Sequence, residues 1–165
     1  MPGFCLDTGP ILDLAVLRYY SEVGGQSLVD VSVPPPIASL VRGLVGPFER
    51  RAFANLLRRA RPISTIEGVL VEIGYKIERT TLNNSVFWRV VQGSYSQWLI
   101  EELPAPLSHC DPAALTEYGP VDEALLQHCV RTGATLISIE RPLRSRANRL
   151  GVSVLHPTEL VAYFS

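Results

Sequence analysis

Short apolar runs alternate along this chain with longer amphipathic segments, and this alternation constrains the fold more than any other feature. Phe4–Leu6 is the first such run, and residues 134–139 form a continuous apolar run of strand length. A strand that is apolar on both faces is typical of a parallel sheet covered by helices on both sides. Between such runs, segments such as residues 66–77 carry apolar side chains at helical spacing. The sequence therefore predicts an α/β fold, a three-layer α/β/α sandwich with a central parallel sheet.

The length of 165 residues is that of one domain, and 47% apolar residues suffice for a sizeable core. Residues 21–47 differ from the rest because they contain three consecutive prolines and several glycines. We interpret this segment as a loop-rich insertion with a short strand at residues 27–33. The whole chain, residues 1–165, is then a single domain with one insertion.

The pattern predicts the remaining elements as follows. Strands are expected at residues 4–6, 62–65, 107–110, 134–139 and 152–155, and helices at residues 10–20, 48–60, 66–78, 85–102, 120–131, 141–150 and 158–164. Ser64 and Glu67 have the spacing of a capping box at the start of the helix that contains Glu72. Residues 111–118 are expected to form a loop.

Four acidic residues fall where such a fold would bring them together. Asp7 follows the first strand, Glu140 ends the run at residues 134–139, and Glu72 and Asp122 lie in helices. Each has an ordinary explanation by itself, such as helix capping for Asp7 and the helix dipole for Asp122. In an open parallel sheet, however, ligands bind at the carboxyl ends of the strands. Carboxylates gathered there would repel one another, and a hard divalent cation relieves that repulsion.

The basic residues are almost all arginine, although the formal net charge is only −1. The planar guanidinium fork of arginine suits phosphate, so arginine clusters indicate a polyanionic partner as readily as solvated helix faces. One cluster comprises Arg42, Arg50, Arg51, Arg58, Arg59 and Arg61, and the other comprises Arg141, Arg144, Arg146 and Arg149.

Other classes of site find little support. Cys5, Cys110 and Cys129 are odd in number and widely spaced, which favours buried, reduced thiols in a cytoplasmic protein over a disulfide or zinc framework. The three histidines are isolated and have no metal-ligand spacing. No apolar stretch approaches the ~20 residues of a membrane span, and the N-terminus has no signal-peptide pattern. We therefore expect a cytoplasmic chain without a membrane segment.

The segments that carry these acids resemble the motifs of a known family. Residues 4–12, Phe-Cys-Leu-Asp-Thr-Gly-Pro-Ile-Leu, resemble the opening motif of PIN domains, the fold of VapC-like toxins and related RNA nucleases. Further along the chain, residues 66–74, 119–126 and 134–143 are similar to the second, third and fourth acidic elements, and residues 150–157 to the last strand. The resemblance covers the chain in order, apart from the insertion.

This resemblance implies an endoribonuclease that hydrolyses RNA phosphodiester bonds with Mg²⁺ or Mn²⁺, the cations that an all-oxygen ligand set favours. Asp7, Glu72 and Asp122 would hold one or two ions, and Glu140 would be shared or would bind through water. Single-stranded or structured RNA would then contact four side chains, namely Thr8, Ser138, Arg141 and Arg144. The resemblance also implies an antitoxin partner and a homodimer.

Two departures from the family pattern leave an alternative open. Glu140 replaces the usual Asp, and Pro142 stands where a further acid is common. The chain is alternatively a degenerate PIN scaffold that binds RNA or a protein partner without catalysis. Phosphotransfer of the haloacid-dehalogenase kind is excluded because Gly9 occupies the position of its second Asp. A receiver-like domain is excluded because the only lysine, Lys76, lies in a predicted helix.

Overall fold

Five short strands form one parallel sheet, and helices pack around it to give a three-layer α/β/α sandwich, as the sequence predicts. The structure is a computed structural model and describes residues 3–165. The strand order is β3-β2-β1-β4-β5, and every pair of neighbours is parallel. The strands are β1 Phe4–Leu6, β2 Ile63–Ile66, β3 Ile100–Leu103, β4 Thr135–Ile137 and β5 Val154–Leu155.

The helices follow the strands in the alternation expected of a parallel sheet. They are α1 Thr8–Gly24, α2 Pro35–Ala38, α3 Pro47–Arg59, α4 Glu67–Ile77, α5 Asn84–Gln97, α6 Pro112–Tyr118, α7 Pro120–Thr132, α8 Arg141–Arg149 and α9 Val161–Phe164. Short 3-10 turns are present at Leu107–His109 and Pro157–Leu160. Between residues 3 and 165, no helix is long and apolar enough to cross a membrane.

The register of the central strands places the C-terminal ends of β1 and β4 side by side. Leu6, the last residue of β1, is opposite Ile137, the last residue of β4. The ladder continues one step further, because the Asp7 amide donates a 3.0 Å hydrogen bond to the Ile137 carbonyl. The residues directly after both strands, Asp7 and Ser138, therefore emerge together at the carboxyl edge of the sheet.

Two glycines let neighbouring segments approach this edge closely. A Cβ atom on Gly9, at the start of α1, would lie 2.7 Å from Ile139 Cδ1. A Cβ atom on Gly43, in the segment between α2 and α3, would lie 2.7 Å from Ile139 Cγ1. Both contacts are far shorter than carbon atoms tolerate. The insertion therefore packs directly against the end of β4, next to the acidic residues.

The end of the predicted helix at residues 85–102 is wrong, because residues 98–102 are not helical. Helix α5 ends at Gln97, and the chain reverses at Leu99, whose φ of 53° is left-handed. Residues 100–103 then form β3, an edge strand with exposed Glu101 and Glu102. An edge strand has only one neighbour, so it lacks the continuous apolar run that identifies β4.

Other boundaries also need correction. Residues 27–33 contain no strand, because α1 continues to Gly24 and turns follow it. Residues 107–110 form a 3-10 turn instead of a strand, and residues 111–118 contain α6 instead of a loop. The capping box is wrong as well: Ser64 lies within β2, and α4 begins at Glu67 without a side-chain cap. The predicted burial of all three cysteines is confirmed.

Candidate active site

Asp7 is the most enclosed of the predicted acids, with only 3% of its surface exposed. It is the N-cap of α1, and its Oδ1 accepts a 2.7 Å hydrogen bond from the Thr8 amide. Its Oδ2 accepts a 2.8 Å bond from the Ser138 hydroxyl. Burial raises the pKa of Asp7, the charge of Glu140 raises it further, and the two hydrogen bonds oppose both effects. Asp7 is thus a carboxylate held in a fixed orientation at a site unfavourable to its charge.

Ser138 links the two strand ends. Its side chain is fully buried, and its hydroxyl also accepts a 3.2 Å hydrogen bond from the Glu140 amide. The hydroxyl therefore fixes Asp7 and the backbone that leads to Glu140. This geometry gives Ser138 a positioning role, in contrast to the direct substrate contact that the resemblance implies.

Glu72 and Asp122 approach Asp7 from two helices that touch. A Cβ atom on Gly68 of α4 would meet Val121 Cγ2 of α7 at 3.0 Å, and Glu72 lies one turn after Gly68. Burial raises the pKa of Glu72, and the charge of Asp7 raises it further. Burial raises the pKa of Asp122 to about 7, with added repulsion from four other carboxylates, in the order Asp7, Glu72, Glu140 and Glu123. All four predicted acids are therefore electrostatically coupled.

Glu140 lies at the outer side of this group. Its side chain is 41% exposed and forms an ion pair with Arg42. Arg42 belongs to the insertion, which the sequence did not connect with the acidic residues. Its backbone amide donates a 3.1 Å hydrogen bond to Asp13 Oδ1, so the position of Arg42 depends on a buried side chain of α1.

The side chains do not form a ready-made metal centre. Across residues 3–165, no three His, Cys, Asp or Glu side chains are grouped closely enough to hold an ion. The expectation that Asp7, Glu72 and Asp122 reach one ion together is therefore not met by their present positions. The donors nevertheless have the right chemistry, since carboxylate and hydroxyl oxygens suit hard divalent cations.

Thr8 supplies an unsatisfied oxygen at the same place. Its side chain is buried, and its hydroxyl makes no hydrogen bond. The hydroxyl is near enough to Glu72 to lower the pKa of that carboxyl, although the pair lacks normal hydrogen-bond geometry. A buried polar group without a protein partner costs free energy, so this hydroxyl is available to a ligand.

The predicted arginine contacts divide into free and structural ones. Arg141 is exposed at the start of α8, and Arg144 is half-buried with an Nε that has no partner. Arg146 instead forms an ion pair with Glu123 and lies 4.0 Å from the Tyr118 ring. Arg50 donates to four backbone carbonyls, those of Val29, Val31, Leu44 and Val45. Arg50 and Arg146 therefore hold the fold and are not free for a polyanion.

Two buried acids near the site were missed by the sequence interpretation. Asp13 lies within α1 and accepts hydrogen bonds from three consecutive amides, those of Arg42, Gly43 and Leu44. Burial raises its pKa to about 6 despite these bonds. Glu123, next to Asp122, is 0% exposed. Their only sequence signal is an acid on an otherwise apolar helix face, which does not reveal the distant partner.

Comparison with known proteins does not identify the chain. No protein-family model matches it, and no curated protein is significantly similar to it. The function of the site must therefore be argued from its own residues.

Proposed function

We propose that this chain is a metal-dependent ribonuclease of the PIN type, acting on RNA phosphodiester bonds. The observation that supports this most strongly is the coupling of four carboxylates at the carboxyl edge of a parallel sheet. The pKa values of Asp7, Glu72 and Asp122 rise because each is desolvated and repelled by neighbouring carboxylates. Carboxylates with perturbed pKa values in one cleft are typical of functional sites, and the edge itself is where α/β folds bind ligands.

In this proposal Asp7, Glu72 and Asp122 hold Mg²⁺ or Mn²⁺, and Glu140 contributes directly or through a water molecule. When bound, such an ion lowers the pKa of a water molecule and neutralises charge on the scissile phosphate. Ser138 keeps Asp7 in one orientation by its hydrogen bond. Thr8 offers its unpartnered hydroxyl beside Glu72. Ionisation of Asp122 is required for binding, so its raised pKa makes the site sensitive to pH.

The substrate and partners belong to the same proposal. Single-stranded or structured RNA is the substrate, and exposed Arg141 and half-buried Arg144 on α8 contact its phosphates. A cytoplasmic location, a homodimer and the toxin role in a toxin–antitoxin pair are further expectations. These depend on the resemblance to VapC-like toxins alone.

The second candidate is a PIN-like scaffold that binds RNA or a protein without cleaving. Two observations favour it. Glu140 is already neutralised by Arg42, and no three potential ligands are grouped within residues 3–165. The presence of Pro142 in place of a further acid also favours the scaffold.

Cleavage of a mixed RNA pool in Mn²⁺ separates the two candidates. The ribonuclease proposal expects cleavage by the wild type and none by the Asp7→Asn variant, because Asn keeps the shape but loses the charge. Asp111→Asn is the matched control, since Asp111 is an exposed N-cap of α6 that takes no part in the charge coupling of the acids, and Asn caps equally well. Cleavage that persists in a purified Asp7→Asn protein would exclude this mechanism. Absence of any wild-type cleavage would favour the scaffold.

A further inference from the structure

A cleft of about 500 Å³ lies beside the acidic residues. The start of α1 with Gly9 forms part of its lining, and the C-terminal end of α4 with Tyr75 and Lys76, followed by Arg79, forms another part. Ile139 also lines the cleft, directly before Glu140, and Gly9 follows Asp7 by two positions. The cleft therefore adjoins the carboxyl edge of the sheet where the four acids are coupled.

The end of α4 brings two cations, Lys76 and Arg79, and one exposed acid, Glu78, to the lining of the cleft, so this wall has a net positive charge. Lys76 and Arg79 are exposed, and neither forms an ion pair with any described residue from 3 to 165. Lys76 is one turn after Glu72, and its charge lowers the pKa values of both Glu72 and Asp7. The ammonium group is thus within electrostatic reach of the acidic residues while remaining available to a ligand.

Tyr75 gives this wall an exposed aromatic surface. Its side chain is 70% exposed, and no aromatic or cationic partner covers the ring among the described residues. Two free cations beside an open aromatic ring match the way proteins bind single-stranded nucleic acids, through phosphate contacts and base stacking. An inorganic anion or an apolar ligand would use only one of these features.

The segment between α2 and α3 also lines the cleft. Arg42 lines it, and the backbone around Arg42 is fixed by three hydrogen bonds to the buried carboxylate of Asp13. The Arg42 side chain points to Glu140 through their ion pair. Arg42 therefore lies in the lining of the cleft and is also in contact with Glu140, one of the four acids.

We propose that this cleft is a nucleotide subsite for single-stranded nucleic acid, in which Tyr75 stacks on a base and Lys76 and Arg79 contact the adjacent phosphates. The subsite directs the next phosphodiester toward Asp7 and Glu72. This inference rests on the proposed function for its catalytic consequence, but binding in the cleft requires neither a metal ion nor cleavage.

The test measures, by fluorescence anisotropy in EDTA, the affinity of the protein for a fluorescently labelled oligo(U) of about ten nucleotides. Lys76→Ala/Arg79→Ala is expected to weaken binding at least tenfold. It is also expected to reduce the slope of log affinity against log salt by about 1.4, since each single-strand phosphate contact contributes about 0.7. Arg51→Ala/Arg59→Ala is the matched control, because it removes two exposed arginines of α3 outside the cleft.

Tyr75→Ala tests stacking separately and is expected to weaken binding about tenfold. Tyr163→Ala is its control, because Tyr163 is 69% exposed but lies in α9. Asp7→Asn should bind the oligonucleotide as well as the wild type or better. Equal losses in the two double variants, or no loss in Tyr75→Ala, would overturn the subsite. Parallel measurement with oligo(dT) distinguishes RNA from DNA.

The outcome is separable from that of the proposed function. Binding that depends on the cleft without any Mn²⁺-dependent cleavage supports the subsite and rejects the nuclease. Cleavage that is unchanged in Lys76→Ala/Arg79→Ala and in Tyr75→Ala supports the nuclease and rejects the subsite.

Discussion

The hydroxyl of Ser138 donates a 2.8 Å hydrogen bond to the carboxylate of Asp7, across 131 positions of sequence. This bond joins the ends of β1 and β4 at the point where the acids gather. It also opposes the effect of burial, which raises the pKa of Asp7. The Ser138 hydroxyl therefore links the ends of the two central strands and also influences the charge state of the candidate site.

Replacing that hydroxyl should destabilise the protein. Ser138→Ala leaves a buried carboxylate without one of its two donors, and hydrogen bonds to charged groups contribute about 1.5–3 kcal/mol. We expect a loss of this size in the free energy of unfolding, measured by urea denaturation at neutral pH. Ser145→Ala, at an exposed position of α8, is the control and should change stability little. Equal stability of the two variants would show that the bond contributes nothing.

Stability without metal should fall as the pH rises from about 4 to about 7. The pKa of Asp122 is about 7 in the folded protein but about 3.9 in an unfolded chain. The folded state therefore binds the proton more tightly, so its stabilisation is complete below pH 4 and is lost as Asp122 ionises. Because Asp122 is partly exposed, screening reduces the effect to about 1–2 kcal/mol.

Asp122→Asn isolates this contribution, since Asn does not titrate. We expect urea denaturation in EDTA at several pH values to give a flatter stability profile for this variant than for the wild type. Asp111→Asn should retain the wild-type profile. A profile of stability against pH for Asp122→Asn that parallels that of the wild type would show that the folded protein does not raise the pKa of Asp122.

The ion pair between Glu123 and Arg146 leads to a prediction about the stability of the fold alone. Glu123 is 0% exposed and one of its oxygens has no partner, so Arg146 is its main compensation. Arg146→Met should cost about 3–5 kcal/mol because it leaves a buried charge unpaired. The double variant Glu123→Gln/Arg146→Met should be more stable than Arg146→Met alone. Thermal and urea denaturation of the three proteins measure this directly, and a double variant less stable than the single one would contradict it.

Sequence patterns were sufficient to predict strands that are buried on both faces of the sheet. β4 is covered on both faces and reads as a continuous apolar run, so its place and the position of Glu140 after it were predictable. β3 was missed because it is an edge strand with exposed glutamates, and because the helix before it ends at Gln97 and the chain reverses at Leu99 without a glycine or proline signal. The other edge strand, β5, lies within the predicted strand at residues 152–155, so it is the exposed acidic pattern of β3 that local periodicity fails to identify.

The same limit applies to the site. The sequence predicted four acids of the site because the topology of a parallel sheet brings strand ends and neighbouring helices together. These acids are Asp7, Glu72, Asp122 and Glu140. Asp13 and Arg42 were not connected with the site, because the hydrogen bond between them spans 29 positions and the ion pair of Arg42 spans 98. Such contacts depend on how the insertion packs, and spacing along the chain does not reveal that packing.

The ion pair between Arg42 and Glu140 should compete with a metal ion. Arg42→Ala removes a cation from the edge of the acidic group, so Mn²⁺ should bind more tightly. An exposed pair contributes about 0.2–1 kcal/mol, which corresponds to a gain of roughly fivefold at most. Calorimetric titration of Mn²⁺ measures this gain. Arg89→Ala, at an exposed position of α5, is the control. Unchanged affinity would mean that Glu140 takes no part in metal binding.

Glu140 is the position at which the acidic group departs from the PIN pattern, so its substitution separates the two candidate functions. If the site is active, Glu140→Asp should keep Mn²⁺-dependent cleavage within about an order of magnitude of the wild type, or raise it, since tenfold corresponds to ~1.4 kcal/mol. Asp restores the family residue but shortens the side chain by one methylene, which also moves the carboxylate away from Arg42. If the chain is a scaffold, neither protein cleaves, and calorimetry should detect no Mn²⁺ binding in either form. A loss of activity far greater than tenfold in Glu140→Asp would instead show that the longer side chain is required in this chain. The site would then have adapted to Glu140 and would not be a degenerate form of the family's.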